Sequence, residues 1–181
     1  MFARGAGPGA VRRDAAVLFV DLVDSTALAH RLELGDYAEL MSEMLQILYL
    51  GLEAHGGTVL QHQGDALVAQ YDIARLEACL RSAQDCHRRI ASLSAAERLG
   101  ERLTLRVGVA CGQILSLTLG GQPTGYGRPF NLSRRLCTIA APGETLVCAD
   151  TYQLSPDLPA TARPRSRRSR DFPLPVRPTR I

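Results

Sequence analysis

Ala15-Ala16-Val17-Leu18-Phe19-Val20 is an uninterrupted apolar run that stops at Asp21. Six residues are too few for a buried helix and rich in β-formers, so the run reads as a buried strand with the acid closing it. A chain that opens its core this way commits to a sheet with other elements packed over it. Met41, Met44, Leu45, Leu48 and Leu52 then recur at helical spacing up to Gly56 and Gly57, which supply a left-handed stop. Residues 58–71 read TVLQHQ-GD-ALVAQY, two short strands around a glycine, with Asp65 beside the turn.

A second amphipathic helix carries Leu76, Cys79, Leu80, Ala83 and Ile90. LTLRVGVACGQILSLTLGG follows as two more strands broken near Gly112, then a glycine-rich loop. Leu132, Leu136 and Ile139 share one face of a third helix within residues 128–140, and TLVCAD is a last strand. The order β-α-β-β-α-β-β-α-β implies an α+β fold, a mostly antiparallel sheet covered by helices. Residues 1–13 read as a loose leader, 14–155 as the folded domain and 156–181 as a Pro/Arg-rich extension, since six of the ten prolines lie beyond residue 150.

At 181 residues there is room for one domain. The net charge of +3 hides an asymmetry. Residues 151–181 hold seven arginines against Asp157 and Asp171 (7 − 2 = +5), leaving the first 150 residues at −2. Such a tail could touch nucleic acid or an anionic membrane, but a Pro- and Arg-rich end reads first as a solvated extension, and no nucleic-acid partner is expected. Cys79, Cys86, Cys111, Cys137 and Cys148 are an odd number, form no C-x-x-C and sit in apolar runs. That suits buried thiols in a reducing cytosol without disulfide or zinc, so a cytoplasmic location is expected. No stretch is long enough for a signal peptide or a membrane-spanning helix.

Asp21 ends a strand and Asp65 follows a tight turn, the places where a sheet presents carboxylates at its edge. Two hard oxygen ligands there suit Mg²⁺. Helix capping by Asp21 and turn stabilisation by Asp65 are the plain alternatives. Asp24, Ser25 and Thr26 open the helix after the first strand, where free backbone N–H groups and the dipole favour an anion, although capping alone also accounts for Asp24 or Ser25. Asn131 and Arg135, spaced i to i+4, could reach one ligand from the polar face of their helix, or simply be solvated.

VLFVDLVDSTALAHRL, HGGTVLQHQGDALVAQYD, LRVGVACGQI, GYGRPFNLSRRL and APGETLVCAD stand in the order and spacing of class III nucleotidyl cyclases, and over residues 14–155 the chain resembles that family. The resemblance implies a ferredoxin-like catalytic domain acting as a head-to-tail homodimer with active sites shared between chains. It implies conversion of a nucleoside triphosphate, ATP in the first reading, to a 3′,5′-cyclic monophosphate and pyrophosphate with two Mg²⁺ or Mn²⁺ ions per site. By the same resemblance Asp21 and Asp65, with the Leu22 carbonyl, are metal ligands, and Ser25 and Thr26 bind phosphate. Asn131 orients the ribose, and Arg135 stabilises charge on the α-phosphate.

Gln61 stands where adenylyl enzymes carry a base-selecting lysine. Thr124 replaces their aspartate, as in a bacterial subgroup. The family's late phosphate-binding lysine has no counterpart, because all 21 basic residues are arginines; Arg168, Arg170 or Arg177 are the candidates to replace it. An adenylyl cyclase, a cyclase of other base specificity and a non-catalytic nucleotide-binding homologue are the competing functions.

Overall fold

The strand announced by the apolar run Ala15 to Val20, β1, spans Val11–Leu22 and so starts four residues before that run. The computed structural model describes residues 10–155. The extension 156–181, with Arg168, Arg170 and Arg177, and residues 1–9 lie outside the described residues. After β1 come α1 (Ser25–Arg31), α2 (Leu34–Ala54), β2 (Thr58–Gln63), β3 (Ala66–Asp72), a 3-10 turn (Ile73–Arg75), α3 (Leu76–Ile90) and α4 (Ser94–Leu99). The chain continues through β4 (Leu105–Leu119), β5 (Gln122–Tyr126), α5 (Arg128–Ile139), β6 (Thr145–Val147) and α6 (Ala149–Leu154).

The strands form one sheet in the order β2-β3-β1-β4-β5, with β6 joined to β4. All pairings are antiparallel except β4 with β6. The α+β class with helices over a mostly antiparallel sheet is therefore what the chain adopts. Because side chains alternate along a strand, β1 feeds two cores at once. Ala16, Leu18, Val20 and Leu22 join Met44 and Leu48 of α2 and Leu80 and Ala83 of α3. Ala15, Val17 and Phe19 join Ala66, Val68, Ile114 and, from α5, Cys137 and Phe130. Tyr71 pins the helical layer to β3, its hydroxyl donating to Ser82 Oγ at 2.8 Å and approaching the Leu52 carbonyl at 3.2 Å.

Three local expectations need correction. The break expected at Gly112 does not occur: β4 is one strand of 15 residues. Gly112 takes φ +145° there, and the strand stays in register with β1 on either side of it, from Leu105↔Leu22 to Ser116↔Val11. The helical stretch after β1 divides at Leu32 and Glu33 into α1 and α2, because both residues have extended ψ. TLVCAD does not run on as a strand, since Cys148 ends it and caps α6, its Sγ accepting from Thr151 N at 3.5 Å. Among the described residues, no helix is long and apolar enough to cross a membrane.

Helix α5 lies on β4 at Gly108. A Cβ there would strike the Ser133 carbonyl oxygen and come within 2.5 Å of Cys137 N, both backbone atoms that cannot swing aside. Gly108→Ala should therefore destabilise the fold by about 1–3 kcal/mol or more, an overpacking cost, read as a lowered midpoint in thermal or urea unfolding. An unchanged midpoint would mean that α5 is not seated on β4 in this way.

Candidate functional site

Phe19 and Asp21 are two residues apart on β1 and face the same side of the sheet. Across the β1–β4 ladder Asp21 stands opposite Arg106, and Arg106 Nη2 donates to Asp21 Oδ2 at 3.1 Å. Beyond Leu22 the chain turns back on itself. Val23 N donates to the Thr104 carbonyl at 2.9 Å, and Asp24 takes φ +56°, the single non-glycine residue with positive φ among the described residues. Asp tolerates that conformation better than most side chains. Its carboxylate makes no capping hydrogen bond to α1, so the capping role that the sequence allows for Asp24 is not the one it takes.

The second carboxylate arrives on the β2–β3 turn. Gln63 pairs with Ala66, leaving Gly64 at φ +66° and Asp65 as the two turn residues. Asp21, Leu22, Ser25, Thr26 and Asp65 thus line one cleft of ≈ 630 Å³, together with Asp24, His30 and Arg106. Burial raises the Asp21 pKa above its ordinary value, the Asp65 charge raises it further, and Arg106 and Arg134 pull it back. An acid whose charge burial and a neighbouring carboxylate disfavour suits a divalent cation. Among the described residues no cluster of three or more His, Cys, Asp or Glu side chains gathers, so such an ion would have to draw its other oxygens from carbonyls, water or substrate.

Thr124 of β5 and Asn131 of α5 line a second cleft of ≈ 250 Å³ with Phe19, Val68, Phe130 and Arg134. Gln61 is placed on β2 opposite Val68, itself a lining residue of this cleft, at the bulge between Val59 and Gln61. Arg135, also on α5, is exposed and lines neither cleft. The candidate residues therefore fall into two groups within one chain, with Arg135 apart from both.

Sequence reasoning missed Arg106, Arg134 and Phe19. Period two along β1 places Phe19 beside Asp21, and i to i+3 spacing places Arg134 beside Asn131, so both were findable. The pairing of Arg106 with Asp21, 85 residues apart, depends on strand register and had no local signal.

The raised pKa of Asp21 has a consequence for stability. An acid whose pKa is higher in the folded than in the unfolded chain costs nothing below its ordinary 3.8, and stability falls as pH rises from there through the folded pKa. In metal-free protein Asp21→Asn should therefore raise the melting temperature at pH 7, and the gain should vanish near pH 3. Thermal melts of both proteins across that range test it, and a gain that persists at pH 3 would refute the electrostatic cause.

The profile of the family described as "Adenylate and Guanylate cyclase catalytic domain" matches residues 11–168. An uncharacterized protein of Rhizobium meliloti is 31% identical over 158 residues, covering 81% of this chain and 15% of that protein. An uncharacterized protein of Mycobacterium tuberculosis is 31% identical over 156 residues, covering 79% of this chain and 28% of that protein. The chain thus spans less than a third of the length of these curated relatives. Among solved structures, the adenylyl cyclase CyaB from P. aeruginosa shares the fold at TM-score 0.86 and 22% identity, covering 95% of each chain. The guanylate cyclase domain of RhGC from Catenaria anguillulae, solved with GTP, does so at TM-score 0.74 and 18% identity, covering 81% of this chain and 85% of that one. With the family profile spanning most of its length over a mostly antiparallel, helix-covered sheet, the chain belongs to the class III adenylate and guanylate cyclase catalytic domains.

Proposed function

We propose that this domain is an adenylyl cyclase, converting ATP to 3′,5′-cyclic AMP and pyrophosphate. The observation that carries the reading is the convergence of Asp21 and Asp65 on one cleft together with Ser25 and Thr26 at the start of α1. Mg²⁺ or Mn²⁺ held by the two carboxylates and the Leu22 carbonyl, two ions per site, would lower the pKa of the ribose 3′-hydroxyl and offset phosphate charge. Asp21 and Asp65 supply the oxygens, and the backbone N–H groups of Ser25 and Thr26 hold phosphate. The 3′-oxygen forms a bond to the α-phosphorus as the bond to pyrophosphate breaks, and the 3′-hydroxyl proton leaves to solvent. Asn131 orients the ribose, and Arg135 meets the charge that develops on the α-phosphate.

Arg135 lining neither cleft of its own chain supports a homodimer in which each site takes the carboxylates from one chain and Asn131 and Arg135 from the other. Adenine asks for a donor to N1 and an acceptor for its amino group, which Gln61 and Thr124 can provide between them. Both side chains can reorient their hydrogen bonding, so discrimination against GTP is modest in this reading.

Incubation with each nucleoside triphosphate and Mn²⁺ or Mg²⁺ should give cyclic AMP at the highest kcat/KM, and greater efficiency with GTP, UTP or CTP would refute the base assignment. Asp21→Ala or Asp65→Ala should abolish turnover with the fold retained. Arg135→Ala should lower kcat by about 10² or more, the usual loss for a donor aimed at developing charge. Mixing inactive Asp21→Ala with Arg135→Ala should restore part of the activity through heterodimers. A mixture that stays inactive while subunits exchange rules out the shared site.

A further inference from the structure

Gln70 is a polar side chain set in an apolar layer. Period two along β3 puts it on one side with Ala66 and Val68, which pack against Ala15, Val17, Phe19 and Ile114. Gln70 is 3% exposed. Its Nε2 donates to Ser116 Oγ at 3.3 Å, and its Oε1 is buried with no hydrogen-bond partner among the described residues. A half-satisfied buried amide costs stability, whereas an apolar side chain of similar shape is neutral or better there. Packing therefore gives no reason for a glutamine at this position.

Its partner lies far along the sheet. Gln70 stands opposite Val17 on β1, but Ser116 stands opposite Val11, six residues earlier. On a flat sheet six residues span about 20 Å, beyond the reach of a glutamine and a serine side chain together. The end of the β1–β4 ladder must therefore curl back over the sheet to bring Ser116 onto β3. β5 pairs with this curled end, Gly125 opposite Ser116 and Thr124 opposite Leu117. Pro123, Thr124 and Gly125 accordingly line the second cleft together with Leu60 of β2, the strand at the other end of the sheet order. Gly125 is closely seated: a Cβ there would strike the Phe130 ring and stand 3.4 Å from Gln70 Oε1.

We infer that Gln70 is a positioning residue for base recognition: its hydrogen bond to Ser116 latches the curled β4–β5 arm onto β3 and so fixes where Thr124 stands. The inference deepens the reading of Thr124 as a base-selecting residue and rests on it. It involves residues of one chain only, on the side of the shared site that carries Gln61, Thr124 and Asn131. A hydrogen bond to a base fails beyond about 3.5 Å, so Thr124 works only if its strand is held. Among the described residues β5 is a five-residue strand paired with β4 alone. Gln70 supplies a second attachment for the arm that carries it.

Hydrogen–deuterium exchange of the chain without nucleotide reads the latch, and kinetics read its purpose. Gln70→Leu and Ser116→Ala should each speed exchange in the peptide spanning residues 122–126. The double variant should exchange no faster than the faster single one, because both changes remove the same bond. The melting temperature of Gln70→Leu should hold or rise, since an unpaired buried oxygen goes with the amide. With ATP and Mn²⁺, KM should increase about three- to tenfold in either variant, the range one neutral hydrogen bond commands, with kcat nearly kept. Unchanged exchange, an unchanged KM or additive effects in the double variant each overturn the inference. A Gln70→Leu chain that melts early or does not fold would make the glutamine a structural residue and overturn it as well. Absence of a cyclic product from every nucleotide would count instead against the adenylyl cyclase reading, and the exchange data would still decide the latch.

Discussion

The β1–β4 ladder is the constraint on which the rest of the molecule hangs. Twelve consecutive pairs, from Val11↔Ser116 to Leu22↔Leu105, lock the two longest strands of the sheet together. A slip of one residue would turn every β1 side chain to the opposite face, moving Leu18 and Val20 out of the layer under α2 and α3. Burial on both sides makes that slip costly. The same register puts Asp21 opposite Arg106 and ends the strand where the Val23 amide can reach the Thr104 carbonyl.

From that ladder the two clefts follow as its consequences. Asp65 can approach Asp21 only because β3 pairs with β1 on the other edge, with Leu67 opposite Val20, two residues past the turn. Asn131 and Arg134 reach the sheet because Gly108 lets the backbone of α5 settle directly on β4. Phe19 then serves both sides, filling the core beneath α5 while its ring face carries the Arg134 guanidinium.

The carboxylate cleft is an electrostatic compromise. Burial and the neighbouring Asp65 both disfavour charge on Asp21, while Arg106 and Arg134 partly compensate. Such an arrangement gives up stability in the free protein, and perturbed carboxyls of this kind concentrate at functional sites. The left-handed backbone at Asp24 is a second departure from the lowest-energy choice, beside the same cleft.

The sequence alone determined whatever depends on near neighbours. The apolar run of β1, the hairpin around Gly64, the amphipathic periods of α2, α3 and α5 and the ordered motif blocks were all legible, because period, turn chemistry and spacing act over a few residues. From these the α+β class followed, as did the grouping of Asp21, Leu22, Ser25, Thr26 and Asp65. Tertiary structure decided what depends on partners far along the chain. Gly112 looks like a strand break, yet the unbroken ladder with β1 carries β4 through it. Arg106 gives no local sign that it will pair with Asp21, and Arg134 gives none that it will stack on Phe19. A residue's neighbours across a sheet or beneath a helix are fixed by register and packing, and neither is written in the residues on either side of it.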